Sequence, residues 1–451
     1  MRFPLLLLLL ASSAFAQPTV TRGGALKKRQ YQTYANATYY VDPAGSDSNA
    51  CTASGASACA TLTGALGKLP RNINHAVTIN IAAGTYVENP TIGPFTFGLN
   101  GVLTITGPTG SGGWAAFTPA TGAATGTLTG YSGLDYTTAT LGVLTDSAQS
   151  WTANDLRGSY VTITSGAASG TQAAIVSNDA TSFTVNRTML SLAAGATYAI
   201  QRPSAVITGT LSVFGINGHA ASSAPLIVSD LTINGTTAAV RVQNVSLVSA
   251  SGVTTASLPL LRRLRAVASA GTAVTCVDGA LTTSSSTTYA AGSGSAGIWV
   301  RCVVRDQAGV WFAGESGSYA VTAFAVPDAQ LGGTSTIPAY VSASTVYTVY
   351  VQQSRLRALY SAYVANTSSG TALWLLGSHV NITAAVRASS ASGLGVYASE
   401  AAQVTRGAAS AVLATGGAGD VKVDDVTLSA TELNALNPKC VIGNRGSSFC
   451  E

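Results

Sequence analysis

The sequence predicts an all-β chain whose bulk is a right-handed parallel β-helix. Two observations lead there. From about residue 204 onward, short β-branched runs alternate with Gly, Ser and Asn: Leu226 to Val228, Leu231 to Asn234, Val240 to Val242, Ile298 to Val300, Val349 to Val351, Leu373 to Leu375, and Val396 with Tyr397. Each run is too short to make a sheet alone, but stacked coil on coil such runs form long parallel sheets around one narrow core. Ahead of them, residues 38–90 read as strand, cysteine loop, amphipathic helix, strand and turn, which is the material of an end cap. The runs are irregularly spaced, as coils with loops of varied length would be. No blade repeat near 40–45 residues suggests a propeller. A string of β-sandwiches is the structural alternative, and the scarcity of clean hairpin turns in the repetitive region speaks against it.

The cap elements follow from local chemistry. Thr38 to Asp42 alternates like a strand, and Pro43 to Cys51 is turn-rich. Thr61 to Leu69 is predicted as a short helix with Leu62, Ala65, Leu66 and Leu69 on one face and Pro70 beyond its end. Val77 to Ile81 is a strand, followed by a turn through Gly84, Thr85 and Tyr86. This order resembles the N-terminal cap of pectin-lyase-like right-handed β-helix proteins. In that superfamily the helix covers the open end of the solenoid, where apolar core and unpaired strand groups would otherwise meet water. The resemblance covers roughly residues 38–126 and 204–430. Residues 127–203 differ: longer strands such as Ser159 to Thr164 and Ser182 to Asn186 are separated by hairpin-like turns. They predict a small antiparallel β module inserted in an early coil. Residues 30–126 are thus expected to hold the cap and first coils, and 204–430 the main β-helix. Residues 431–451, with a helical turn from Thr431 to Leu436, are expected to form a disulfide-closed C-terminal cap.

The beginning of the chain sets an expected compartment. Arg2 precedes the apolar run Leu5 to Leu10, and Ala14 to Ala16 supplies small residues for a signal peptidase. Residues 1–16 therefore read as a secretory signal, too short for a membrane span. Lys27, Lys28 and Arg29 form either a dibasic processing site of the kind found in eukaryotic secretory pathways, as in fungi, or an exposed basic tail. In the first case residues 17–29 are a pro-segment. Residues 1–29 carry five basic residues and no acidic one, so their removal takes 23 basic against 18 acidic to 18 against 18. The apparent basicity then offers no argument for nucleic acid. Only 9% of residues are charged while 47% are hydrophobic, the reverse of a disordered chain. Later apolar runs are short and broken, so no membrane span is expected.

Six sequons, at Asn36, Asn186, Asn234, Asn244, Asn366 and Asn381, agree with a glycosylated extracellular protein. The six cysteines are even in number, as in a disulfide framework. Fifteen pairings are open. The clustering suggests Cys51–Cys59, Cys276–Cys302 and Cys440–Cys450, and the second spans 26 residues, about one coil. No CxxC occurs and the three histidines are scattered, so neither metal nor cofactor is expected.

The resemblance implies a polysaccharide ligand, acidic or from a cell wall, lying along the outside of one sheet. Fold alone establishes no activity. Arginines concentrate between 241 and 406. Arg241 and Arg265 lie 24 residues apart, so together with Arg263, Arg355 and Arg357 they could form a ladder gripping uronate carboxylates. The alternative is an ordinary solvated face. The best catalytic candidate runs from Val300 to Asp306, with Glu315 nine residues on. Alternation places Arg301, Val303 and Arg305 on one strand face with Asp306 at the turn. A lyase needs a cation and a base, and arginine serves as both in some pectate lyases. A hydrolase needs two carboxylates, here Asp306 and Glu315. A simple Arg–Asp surface pair is the competing reading. Asn217-Gly218-His219 lacks the second glycine and upstream aspartates of the polygalacturonase motif, and Asp424 and Asp425 would face opposite ways on a strand. The function expected is polysaccharide binding by a secreted protein. A lyase or hydrolase acting on a uronate glycan stands second, and a structural or adhesive surface protein third.

Overall fold

A computed structural model of the chain describes residues 31–108 without a break. From 115 to 442 it describes the strands and most of their corners, leaving out stretches such as 134–141, 220–223, 249–257, 333–338 and 424–439. The expected signal and pro-segment, and all of the C-terminal cap but Cys440–Ile442, lie outside the described residues. The chain is a right-handed parallel β-helix with a capping helix and an inserted antiparallel module. Three long parallel sheets, of eleven, ten and eleven strands, run the length of the solenoid, and a four-stranded sheet joins them in the early coils. Each coil passes from the first sheet to the second, then the third, and returns to the first.

Strict register holds the coils together. In the third sheet Val274, Gly297, Val321, Val349, Leu373, Val396 and Val421 are Cα partners in succession, at steps of 23 to 28 residues. The valines and leucine from Val274 to Val396 are buried, so this is an interior column. A second column runs through Val242, Cys276, Trp299, Ala323, Val351 and Leu375, all buried. Alternation along each strand puts the residues between them outside. The disulfide Cys276–Cys302 joins this column to the next coil, as the clustering suggested. Cys51–Cys59 closes the loop of the N-terminal cap. Cys450 lies outside the described residues.

The cap helix spans Leu62–Leu66, shorter than the nine residues the pattern suggested. Gly67 and the turns after it release the chain before Pro70. Thr61 is its N-cap, accepting from the Gly64 amide through Oγ1. Glu88 accepts from the Leu62 and Thr63 amides at 2.7 and 2.9 Å, so a carboxylate meets the donors of the first turn. Leu62, Ala65 and Leu66 are buried against the first coil.

The inserted module leaves after Thr106 in the first sheet and returns at Ala205 in the second. Its eight strands are drawn from Ala115 to Arg202, and their printed pairings are antiparallel. It has its own core, where Trp151, Phe183 and Tyr198 meet edge to face at 5.5 to 6.4 Å. The Tyr198 hydroxyl donates to Asp146 at 2.7 Å, and burial with that carboxylate raises its pKa.

Replacing Cys276 and Cys302 together by Ala should cost about 3.5 kcal/mol, the loop-entropy value for a closure of this length. A urea midpoint unchanged from the oxidised wild type would contradict this role.

Candidate functional site

Corners decide where the charged residues go. Where the chain leaves the third sheet, toward the four-stranded sheet at Asn244 and toward the first sheet afterwards, it turns through one residue in the left-handed region: Asn244, Asp278, Arg301, Ala325, Gln353 and Gly377, with φ from 46° to 52°. These corners stack, each amide donating to the coil above, as from Asp278 to Val300 O and from Arg301 to Phe324 O. Left-handed backbone disfavours side-chain-bearing residues, and the repeated hydrogen bonds offset that cost. Stacking also sets corner side chains of neighbouring coils together. The Arg301 guanidinium donates through Nε and Nη2 to the two Asp278 oxygens, at 2.6 and 2.8 Å. Each group reinforces the other's charge: the Asp278 carboxyl titrates below its ordinary range and Arg301 above its own. At the corner between first and second sheets, Arg263 holds Asp230 in the same way, both residues left-handed. Asp230 is fully buried.

Arg301 therefore does not share a strand face with Arg305, contrary to the alternation expected for Val300 to Asp306. The strand begins only at Val303. Within it Arg305 takes the outward parity of Val303, and Asp306 the parity of buried Val304. Glu315, the proposed partner carboxylate, lies outside the described residues.

The arginine ladder does not assemble either. Arg241 is exposed on the third sheet, beside Thr275. Arg265 is on the second sheet, 7% exposed beneath the inserted module. Its Nε donates to Arg157 O at 2.9 Å and its Nη1 to Asn234 Oδ1 at 3.2 Å. Burial, with repulsion from Arg202, pushes its pKa down to about 9. Arg265 thus docks the module onto the solenoid. Arg355 and Arg357 occupy the first sheet, opposite His379 and Asn381, and Arg357 lines up through Gln330 with Arg305. Of the sequons, Asn36 and exposed Asn244 are described with side chains, Asn234 is engaged by Arg265, Asn366 and Asn381 are placed by register, and Asn186 lies outside the described residues. Among the described residues no group of three His, Cys, Asp or Glu side chains could hold a metal.

The outer face of the third sheet is different in kind. Six successive strands, Thr272–Val277, Gly297–Val300, Tyr319–Phe324, Tyr347–Gln352, Thr371–Leu376 and Leu394–Ser399, contain no charged residue. Their outward register column reads Thr275, Ile298, Thr322, Tyr350, Trp374 and Tyr397. Tyr350 and Trp374 meet edge to face at 6.0 Å, and Trp374 and Tyr397 at 4.7 Å. All three are half-buried. A parallel outward column holds Val300, Phe324, Gln352 and Leu376, with Phe324 exposed. Tyr350 Oη donates to Gln352 Oε1 at 3.1 Å. This column was missed in the linear reading. Its signal is an aromatic at the centre of an apolar triplet, recurring at 350, 374 and 397.

No protein-family model matches the chain, and no curated protein matches it. Solved structures give loose likenesses. XylC in complex with xylose shares 9% identity over 86% of this chain and 75% of its own, with a TM-score of 0.26. A glycoside hydrolase shares 9% over 88% and 98%, at 0.22. The tailspike gp61 of Pseudomonas phage phi297 shares 11% over 84% and 74%, at 0.23.

Replacing Arg263 by Met would strand the buried Asp230 carboxylate. Breaking a buried pair costs roughly 3–5 kcal/mol; Arg263 is partly exposed, so about 2–3 kcal/mol is expected here, read as a lowered urea midpoint. A midpoint within 0.5 kcal/mol of wild type, roughly the scatter of neutral surface changes, would show that the pair does not stabilise the corner.

Proposed function

We propose that the chain is an exported protein that binds an extracellular polysaccharide along the outside of its β-helix, without cleaving it. The carrying observation is the outer face of the third sheet, uncharged over six successive strands and bearing an aromatic column. An extended polymer and a stacked parallel sheet share one shape, so contacts made on one coil can repeat on the next. Half-exposed aromatic rings present apolar area with a polar rim, which suits a sugar ring better than water does. Binding is preferred to catalysis because the expected cluster of Arg301, Arg305 and Asp306 does not share one strand face. Arg301 is held by Asp278 at a corner, and Asp306 does not share Arg305's parity. The apolar run Leu5 to Leu10 and the sequons support export and glycosylation.

A second reading has its own observation. The outward register positions of the first sheet gather Arg305, Arg355, Arg357 and His379 on neighbouring strands. That face would suit an acidic glycan, and with it a lyase.

Affinity electrophoresis of the secreted chain through gels containing soluble polysaccharides tests the reading. Retardation by at least one polymer is expected, with no new reducing ends and no unsaturated product absorbing in the ultraviolet. Turnover above a mock-purified control would favour the lyase or hydrolase reading, and free migration through every polymer would contradict binding.

A further inference from the structure

We propose that the ligand of the third sheet is a neutral polysaccharide, lying along the stack and seated on Tyr350, Trp374 and Tyr397. This deepens the binding reading above and rests on it.

Charge selects the ligand class. The six uncharged strands span five rung steps, roughly 24 Å at a strand spacing of about 4.8 Å. An acidic polymer laid along these six strands would desolvate its carboxylates over the whole span with cations at the two ends alone, which is costly. On the third sheet cations flank the six strands, Arg241 beside Thr275 at one end and Lys422 in register with Tyr397 at the other, and the remaining ones are placed elsewhere. Arg263 and Arg301 are in corner pairs, Arg265 lies under the module, and Arg305, Arg355 and Arg357 are on the first sheet. A neutral glycan needs only apolar contact for its C–H faces and hydrogen bonds for its hydroxyls. Ile298, Val300, Phe324 and Leu376 flank the rings with apolar surface, and the Gln352 amide with the Tyr350 hydroxyl supplies polar partners beside them.

Ring contacts make the aromatic column continuous. Trp374 makes two edge-to-face pairs, at 74° and 84°. Tyr350, Trp374 and Tyr397 stand on three successive coils in one register column. The rings follow one another along the solenoid axis, so the glycan is expected to follow that axis too.

The size of the face argues against a second copy of the chain as occupant. Four residues of strand give a width of about 13 Å. The patch is then roughly 300 Å², well short of the roughly 800 Å² per partner in a stable protein interface. A single polysaccharide strand is narrow enough to use it fully.

The test compares wild type with Trp374→Ala, Tyr397→Ser and Arg357→Gln as full-length secreted chains, each checked by circular dichroism. Affinity electrophoresis is run against neutral xylan, mannan and β-glucan, and against polygalacturonate and alginate. The expected result is retardation by a neutral polymer, weakened at least tenfold by Trp374→Ala and by Tyr397→Ser and unchanged in Arg357→Gln. Tyr397→Ser keeps the test decisive if Trp374→Ala does not fold. Retardation only by the acidic polymers overturns this inference and leaves the binding reading standing. Neutral binding that survives Trp374→Ala and Tyr397→Ser but fails in Arg357→Gln also overturns it. Free migration through every polymer removes the binding reading and this inference together. Light scattering that shows an oligomer dispersed by Tyr397→Ser would assign the face to self-association instead.

Discussion

The register of one coil on the next is the constraint from which the other features of this molecule follow. Each interior position has a neighbour of similar kind above and below, as in the column from Val274 through Leu373 to Val396. Parallel strands satisfy one another's backbone groups only while that register holds. A slip of one residue would turn a whole column outward. Cys276 and Cys302 tie two coils covalently at this point, and Gly297 occupies an interior place between Val274 and Val321. The same register that lines up the interior lines up the exterior, so any outward side chain repeated at coil spacing becomes a stripe.

That is how the outer faces come to differ. Charged residues gather at the stacked corners and on the first sheet, where Asp278 meets Arg301 and Arg357 stands opposite Asn381. The third sheet carries no charge over six strands and holds an aromatic stripe. The inserted module covers part of the second sheet, burying Thr232 and Arg265. Of the positions that look alike in sequence as outward arginines, Arg241 and Arg355 are exposed, Arg265 is under the module, and Arg263 and Arg301 are locked into ion pairs. Only the stack tells them apart.

Much of the fold was legible from local signals. The cap helix announces itself through Thr61, the spacing of Leu62, Ala65 and Leu66, and the flanking cysteines. The module announces itself through its longer strands and turns. Arg301 was misread because a left-handed corner made of one non-glycine residue looks like continuing alternation: Val300, Arg301, Cys302 reads as strand, and nothing local marks φ near 48°. The aromatic stripe was invisible for a different reason. Tyr350, Trp374 and Tyr397 become one feature only when steps of 24 and 23 residues are recognised as successive coils. The arginine spacing of 24 between Arg241 and Arg265 looked equally periodic, yet it crosses from the third sheet to the second.

The central claim is that the third sheet, and not the arginine-bearing first sheet, meets the ligand. Hydroxyl-radical footprinting of the protein, free and saturated with a polysaccharide that retards it, reads this directly. The account predicts that protection concentrates on Tyr350, Trp374, Tyr397 and Phe324. Protection centred on the first-sheet strands Arg355–Tyr360 and His379–Ile382, with the aromatic stripe unchanged, would contradict it.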